Sequence, residues 1–211
     1  MKVLIAGANG KIGRRLIPHL VADNIQVRAM VRDLRQKADL EILGAHEVVE
    51  ADLEGDCRQA LEGQDAVIFT AGSGPNTGPE KTIDVDQNGA ISLIDQAKEQ
   101  GVGRFIMVSS MRADDPASGP EKLRHYFVAK GKADDHLRAS GLNYTIIRPG
   151  RLTEEPPLEK VEIAEKLKDF GDISREDVAK VLSETARAEL DNREFDVIAG
   201  PTPIREALDK F

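Results

Sequence analysis

Short apolar runs alternate with amphipathic stretches along most of the chain. Runs such as KVLIAG and DAVIFTAG, closed by glycine, are typical of strands buried in a sheet. The stretch KIGRRLIPHLVAD instead carries Ile12, Leu16, Ile17 and Leu20 at helical spacing. Repeated strand–helix alternation favours right-handed crossovers. We therefore predict an α/β fold, with helices on both faces of a parallel sheet.

The same patterns define the individual elements. The predicted strands are KVLIAG, QVRAMVR, HEVVEADL, DAVIFTAG, RFIMVSS, NYTIIRPG and REFDVIAG. Gly101 is expected to end a helix as its C-cap and Ser174 to begin another as its N-cap. Gly131 lies inside a predicted helix, at a cost of about 1 kcal/mol relative to alanine. We predict one doubly wound, Rossmann-type domain over residues 1–211, to which 151–211 contributes a small substrate or lid region.

Composition narrows the class of protein. The chain has 211 residues and a formal net charge of −8, which argues against nucleic-acid binding. Its single cysteine, Cys57, excludes an internal disulfide, and its four histidines show no metal-ligand spacing, so no metal is expected. The N-terminus does not resemble a signal peptide, and no apolar run is long enough for a membrane span. We expect a cytoplasmic protein that is a monomer or a homodimer and does not bind membranes.

The segment GANGKIG places glycines between the first strand and the first helix. Glycine there permits a tight turn and a close approach of the backbone to a pyrophosphate at the helix N-terminus. A loop that only needs a positive φ would also use glycine, but this strand–helix position favours a dinucleotide site. The residues predicted to bind the cofactor here are Gly7, Asn9, Gly10, Lys11, Ile12 and Gly13.

The end of the second predicted strand bears on the choice of dinucleotide. An acidic residue there normally binds the ribose 2′-hydroxyl of NAD. The sequence VRAMVRD offers Arg32 first and Asp33 only afterwards. A guanidinium attracts a 2′-phosphate and can bind it with two hydrogen bonds. We predict NADP in preference to NAD, with Asp33 keeping the alternative open.

The segment RHYFVAKGKADD places Tyr126 four residues before Lys130. Residues at this spacing lie on one face of a helix, so both side chains can point into one cleft. A free phenol has a pKa of about 10 and is a poor base near neutral pH. A neighbouring ammonium favours the phenolate. We therefore predict an acid/base pair in which Lys130 lowers the pKa of Tyr126, although this spacing also occurs by chance in many helices.

Several segments together resemble the short-chain dehydrogenase/reductase family, in its atypical epimerase/dehydratase-like or NmrA-like branch. These segments are GANGKIG, ADLEG, TAGSG, VDQNGAISLIDQAKEQGVGRFIMVSS, YFVAK and NYTIIRPGRLT, which span nearly the whole chain. The resemblance implies that Lys130 also holds the nicotinamide ribose and that Tyr126 exchanges a proton with the substrate oxygen. It implies that Ser110, with Ser109 in reserve, orients that oxygen. The further residues implied to border the cofactor are Asp52, Leu53, Ala71, Gly72, Ser73, Pro149 and Gly150.

One departure from the family pattern concerns the catalytic set. Asp86 of IDVDQNG stands where better-known members have an asparagine, and a carboxylate cannot donate as an amide does. The short C-terminal region favours a small carbonyl substrate over a nucleotide-sugar. We predict an NADP-dependent oxidoreductase that transfers hydride to such a substrate. Two alternatives are an NADP-binding redox sensor without turnover, and an epimerase or dehydratase that retains its cofactor.

Overall fold

The computed structural model describes residues 1–74, 77–188 and 190–211. Its strands are β1 (Lys2–Ala6), β2 (Gln26–Val31), β3 (Glu47–Glu50), β4 (Ala66–Phe69), β5 (Arg104–Val108), β6 (Asn143–Pro149), β7 (Arg151–Thr153), β8 (Lys160–Ala164), β9 (Asp172–Ser174), β10 (Arg193–Ala199) and β11 (Thr202–Pro203). Its helices are α1 (Lys11–Ala22), α2 (Lys37–Ile42), α3 (Arg58–Leu61), α4 (Pro79–Thr82), α5 (Ala90–Glu99), α6 (Arg124–Ala139), α7 (Arg175–Arg187) and α8 (Ile204–Asp209).

Nine strands of the described chain form one sheet in the order β11-β8-β10-β6-β5-β4-β1-β2-β3. All neighbours from β10 to β3 pair in parallel, while β8 runs antiparallel to both β10 and β11. The predicted Rossmann-type parallel sheet is therefore confirmed. Strands β7, β8, β9 and β11 were not predicted, because they are short and most of their side chains stay exposed or half-buried.

A hydrophobic core lies on each face of the sheet. Val3 and Ile5 of β1 belong to one core, and Leu4 and Ala6 belong to the other. This division follows from the alternation of side chains along a strand. Helices α1, α7 and α8 pack in the first core, and α5 and α6 pack in the second. Both faces of the sheet are thus covered, as predicted.

The helical stretch that ends at Gly101 begins at Pro79 and contains both α-helical and π-helical turns. Residues Ile83–Gly89 form a π-helical segment between α4 and α5. Such segments are rare in proteins overall, but those that occur are often found at functional sites. The predicted caps are confirmed, since Gly101 adopts a φ of +71° and the Ser174 hydroxyl accepts a hydrogen bond from the Asp177 amide.

The region 151–211 contributes to the main sheet as well as to a smaller one. Strands β8, β10 and β11 extend the main sheet, whereas β7 and β9 pair with each other. Helix α7 packs against α1. Within the described residues, no helix is long and apolar enough to cross a bilayer.

Gly131 is required where α6 meets the loop after β5. A Cβ atom on Gly131 would lie 2.4 Å from the carbonyl oxygen of Ala113, which is closer than real atoms approach. The Gly131→Ala variant should therefore lose about 1–3 kcal/mol of unfolding free energy, despite the better helix propensity of alanine. Urea denaturation measures this loss. Gly55→Ala is the control, because the nearest atom to its added Cβ is an ordinary 3.6 Å away; greater stability of Gly131→Ala would contradict the packing argument.

Candidate functional site

Six parallel strands bring most of the predicted site residues to one edge of the sheet. Strands β1 to β6 are parallel, so their carboxyl ends share that edge. Ligands of open α/β sheets bind outside the carboxyl ends, where the strand order reverses. Here the order reverses between β1 and β4. The predicted residues that follow these strands are Gly7, Arg32, Asp52, Ala71, Ser110 and Gly150.

The glycine-rich turn is packed against the end of β4. Gly7 has a φ of +89°, and a Cβ atom there would lie 2.6 Å from the amide nitrogen of Ala71. A Cβ atom on Gly13 would lie 2.4 Å from the carbonyl oxygen of Gly7. Neither position can hold a side chain, so the backbone itself forms the surface of the turn. This bare backbone at a helix N-terminus fits a dinucleotide pyrophosphate.

The other predicted residues of the turn differ in what they can offer a ligand. The first N–H groups of α1, which begins at Lys11, have no intrahelical acceptor and are free to bind an anion. The Ile12 side chain is buried in the core, which leaves only its backbone for that purpose. The Asn9 side chain accepts a hydrogen bond from Arg14, and the Lys11 ammonium lies 2.8 Å from a carboxylate oxygen of Glu154. The Lys11 ammonium would have to leave Glu154 in order to bind a phosphate.

The end of β2 presents one engaged carboxylate and one exposed guanidinium. Asp33 accepts hydrogen bonds from the backbone and the guanidinium of Arg35. The same contacts with Arg35 lower the pKa of Asp33. Arg32 is exposed and forms no ion pair within the described part of the chain. Of the two candidates for the cofactor ribose, Arg32 is therefore the one whose polar group is not already committed to another side chain.

Asp52 and Leu53 follow β3, beside the π-helical segment. Asp52 accepts a hydrogen bond from the Glu54 amide, which shapes the turn. Leu53 is buried, and its Cβ lies 2.9 Å from the position of a Cβ on Gly89. The close contact leaves no room for a side chain at Gly89. Of Asp52 and Leu53, only Asp52 is exposed and accessible to a ligand.

Asp86 is the buried centre of the site. Its Oδ2 accepts a 2.9 Å hydrogen bond from the Ser73 amide, and its Oδ1 lies 3.9 Å from the Lys130 ammonium. Gly72 passes so close that a Cβ on it would lie 3.1 Å from the same Oδ1. The π-helical segment that carries Asp86 thus joins the loop after β4 to α6. Asp86 holds a lysine and a backbone amide in place, which an uncharged asparagine would do less strongly.

Tyr126 and Lys130 lie on one face of α6, as their spacing predicts. Lys130 is buried, with its ammonium 5.6 Å from the centre of the Phe69 ring. Tyr126 is partly buried, and the Ser110 hydroxyl, which donates to the Met111 carbonyl oxygen, is near enough to lower the pKa of the phenol. Ser109, the reserve candidate, is buried and directed elsewhere. The structure therefore brings Ser110, rather than Ser109, to the tyrosine.

The expectation that Lys130 lowers the pKa of Tyr126 is wrong for this structure. Burial raises the pKa of the Tyr126 phenol, the carboxylates of Asp86 and Asp134 raise it further, and the Ser110 hydroxyl opposes them. The main reason is the burial of the phenol, and the second is the carboxylate of Asp86, which also lies beside Lys130 and offsets its positive charge. Near neutral pH the phenol is accordingly protonated and able to donate.

Sequence reasoning missed the pair formed by Ser109 and Asp134. The Ser109 hydroxyl donates a 2.6 Å hydrogen bond to Oδ2 of Asp134, while Oδ1 has no hydrogen-bond partner among the described residues. Burial raises the pKa of Asp134 to about 6, against the lowering effects of Ser109 and Lys130. Asp134 follows Lys130 by four residues, and this spacing was the signal that could have placed it on the same helical face.

The turn after β6 is confined by the segment before β9. A Cβ atom on Gly150 would lie 2.1 Å from the carbonyl oxygen of Gly171. The Pro149 carbonyl accepts a hydrogen bond from the Met111 amide, so this turn also borders the loop after Ser110. Pro149 and Gly150 thus lie at the same edge as the serine and the tyrosine.

Cys57 and the histidines take no part in this arrangement. Cys57 is buried, and burial raises the pKa of its thiol to about 11, so it is a poor nucleophile. In the described ranges, no group of three His, Cys, Asp or Glu side chains is placed to hold a metal ion.

Comparisons with known proteins give the family. Residues 7–189 match the NAD(P)H-binding family model. The uncharacterised sugar epimerase YhfK of Bacillus subtilis strain 168 is 50% identical over 217 residues, covering 100% of both chains. The solved structure described as an NAD-dependent epimerase/dehydratase from Bacillus halodurans has a TM-score of 0.98 and 44% identity, covering 100% of both chains.

A further solved structure extends the comparison to oxidoreductases. The oxidoreductase ylbE of Lactococcus lactis has a TM-score of 0.87 and 30% identity, covering 100% of this chain and 96% of the other. The match to an NAD(P)H-binding family agrees with the position of the glycine turn, where the strand order reverses between β1 and β4. The chain therefore belongs to the NAD(P)H-binding family of atypical short-chain dehydrogenases/reductases, as an enzyme of the oxidoreductase or epimerase/dehydratase type.

Proposed function

We propose that the protein is an NADP-dependent oxidoreductase that reduces a small carbonyl substrate in the cytoplasm. The observation that carries the proposal is the meeting of Tyr126 with Ser110, while Lys130 is held by Asp86 one helical turn away. A bound NADPH supplies the hydride for such a reaction. The protein's own groups have to bind the cofactor, orient the substrate oxygen and provide a proton.

Tyr126 suits the role of proton donor. The carbonyl carbon gains the hydride with its two electrons, and the oxygen takes the phenol proton, which solvent then replaces. The raised pKa of Tyr126 keeps that proton on the phenol until the developing alkoxide, a stronger base, takes it. Ser110 is placed to hydrogen-bond the same oxygen. Lys130, which belongs to α6 and lies beside Asp86, is proposed to bind the nicotinamide ribose.

The backbone of the glycine turn is proposed to hold the pyrophosphate. The N-terminus of α1 is left open by Gly7, Gly10 and Gly13. The wall that faces it is proposed to consist of Ala71, Gly72 and Ser73. Asp52 and Leu53 are proposed to border the adenine, and Pro149 with Gly150 the nicotinamide. Arg32 is proposed to bind the 2′-phosphate of NADP, since its guanidinium is exposed while Asp33 is engaged by Arg35.

Epimerisation with retained cofactor is a second candidate, favoured by the description of the relative that is 50% identical. That chemistry needs a group that removes a proton or hydride from the substrate and then returns it. A phenol whose pKa is raised is a weaker candidate for the removing step than for donation. We place the substrate cleft of either reaction between the loop after β5 and the region 151–211, which would act as its lid.

The Tyr126→Phe variant should lose at least about 100-fold in kcat, because the proton donor is removed. Steady-state oxidation of NADPH with a panel of aldehydes, ketones and quinones measures turnover, and fluorescence titration measures NADPH binding, which should stay within about twofold. Tyr144→Phe is the matched control, since it removes a phenol hydroxyl on β6 outside the site. Unchanged kcat in Tyr126→Phe would remove the tyrosine from the mechanism.

The Arg32→Ala variant should weaken NADPH binding by about 10- to 100-fold and leave NADH binding nearly unchanged, because only NADPH carries the 2′-phosphate. Titration calorimetry with both dinucleotides measures the difference. Arg35→Ala serves as control, since this guanidinium is paired with Asp33. Equal effects of Arg32→Ala on the two dinucleotides would argue against the assigned phosphate contact.

Asp134 should make stability depend on pH. Its pKa is raised from 3.8 to about 6 in the folded state, so the folded protein binds the proton more tightly than the unfolded chain does. This contribution to stability is fully present below pH 3.8 and is lost as the pH rises through 6. Above that range, the unfolding free energy is therefore about 3 kcal/mol lower than it is below pH 3.8.

The Asp134→Asn variant keeps an acceptor for Ser109 but cannot ionise, so it should lack this pH dependence. Its unfolding free energy relative to the wild type should rise between pH 4 and pH 8, by an amount of about 2 kcal/mol in urea denaturation. Lys130, Arg138 and Arg148 surround the carboxylate with positive charge and oppose the effect. Asp135→Asn, on the exposed side of α6, is the control. Parallel pH curves for Asp134→Asn and the wild type would show that the pKa of Asp134 is the same in the folded protein as in the unfolded chain.

A further inference from the structure

Two loops meet beside Ser110 through side chains that the proposed chemistry does not use. Arg112 follows Ser110 by two residues, and its Cζ lies 4.2 Å from the centre of the Phe170 ring. The Arg112 Cδ also lies 3.4 Å from the position of a Cβ on Gly119. That same position is only 2.4 Å from the ring of Phe127, the neighbour of Tyr126. The Arg112–Phe170 pair is therefore close to the first turn of α6.

The pair also borders the turn after β6. Phe170 precedes Gly171, whose carbonyl oxygen accepts a 2.9 Å hydrogen bond from the backbone amide of Arg151. The same carbonyl oxygen packs against Gly150. Ser110 follows β5 and Gly150 follows β6, and these strands pair in parallel. Arg112 and Phe170 thus lie at the carboxyl edge of the sheet, next to the groups proposed to hold the substrate oxygen.

Arg112 is held in an unusual conformation. Its φ is +72°, in the left-handed region that costs a side-chain-bearing residue about 1 kcal/mol. Such strain is concentrated at functional positions. In the same loop, Asp114 is paired with Lys166 across the two loops, which already fastens them together. The strain at Arg112 is therefore not needed to join the loops.

The charge of Arg112 has no anionic partner among the residues that the structure describes. Most arginines of the described chain lie within 4 Å of a carboxylate, whereas none lies that close to the guanidinium of Arg112 among the residues described. Its planar group of N–H donors matches the two oxygens of a carboxylate. Phe170 has 44% of its surface exposed, which is a large apolar area for a side chain beside a site. The two residues together present a flat apolar surface with a fixed positive charge.

We propose that Arg112 and Phe170 bind the part of the substrate remote from its carbonyl, and that they select a flat aromatic carbonyl compound bearing a carboxylate. Phe170 stacks on the ring of the substrate, and Arg112 forms paired hydrogen bonds with its carboxylate. This inference rests on the proposed function for the position of the reacting carbonyl. It adds the chemical class of the substrate and two residues that determine specificity.

A matched pair of substrates tests the proposal in the whole protein. 4-Carboxybenzaldehyde carries the carboxylate, and methyl 4-formylbenzoate presents a neutral ester at the same position. The wild type should show a KM for the acid at least about tenfold below that for the ester. In Arg112→Met this preference should disappear through a higher KM for the acid, with kcat and the KM for the ester unchanged. A wild-type protein that turns over both compounds without preference would overturn the proposal.

A second variant and a nearby control separate recognition from folding. Arg112→Gly removes the guanidinium and also relieves the positive φ, so it should fold at least as well as the wild type and show the same loss of preference. Arg151→Met removes an exposed arginine that is paired with Asp172 and should change neither KM. Loss of preference in Arg151→Met as well would mean that general positive charge is responsible, and it would overturn the role of Arg112.

Binding of terephthalate distinguishes this inference from the proposed function. Terephthalate has the ring and the carboxylate but no reducible carbonyl, and calorimetry in the presence of NADP measures its affinity. Binding that weakens at least about tenfold in Arg112→Met, with no turnover of either aldehyde, supports the recognition site while the proposed function fails. Turnover of the aldehydes, with terephthalate binding unaffected by Arg112→Met, overturns the inference and leaves the proposed function standing. Absence of terephthalate binding to the wild type at millimolar concentration also overturns it.

Discussion

The parallel alignment of β1 to β6 is the constraint on which the site depends. Each of these strands runs in the same direction, so each loop that leaves a carboxyl end reaches the same edge. The sheet order reverses between β1 and β4, and at this place the Gly7 turn packs against Ala71. The packing of the two cores against both faces fixes the positions of these strand ends. The backbone surface for a dinucleotide is thus a product of the fold rather than of particular side chains.

Within that frame, the buried ionic contact between Asp86 and Lys130 sets the electrostatics of the candidate site. A lone buried ammonium would favour the phenolate of Tyr126, but burial of the phenol and then the carboxylates of Asp86 and Asp134 raise its pKa instead. An isolated buried lysine would also be costly, and a carboxylate fixed by the Ser73 amide offsets part of that cost. The carboxylate of Asp86 is therefore coupled to the protonation of Tyr126. With its pKa raised, the Tyr126 phenol is better suited to donate a proton than to remove one.

The sequence was sufficient for the central fold because local patterns decide it. Buried parallel strands appear as apolar runs, the glycine turn marks the first strand–helix junction, and the cap residues Gly101 and Ser174 mark helix ends. The short strands β8 and β11 escaped prediction because they depend on long-range pairing, β8 with β10 and β11 with β8. The direction of the Tyr126 pKa shift also could not be read from the Tyr126–Lys130 spacing. It depends first on the burial of the phenol and then on Asp86 and Asp134. The approach of Asp86 to α6 is a long-range contact that arises only when the π-helical segment packs on that helix.

The two borders of the main sheet have a consequence for association between copies of the chain. An unpaired strand edge can recruit a further strand from another molecule, and proteins resist this with short strands, charge or proline. β3 is only four residues long and carries Glu47 and Glu50, while β11 has two residues and ends in Pro203, which lacks an N–H donor. Lateral growth of the sheet into fibres is disfavoured at both borders, so the protein can remain dispersed at high concentration while its carboxyl edge stays accessible to small molecules.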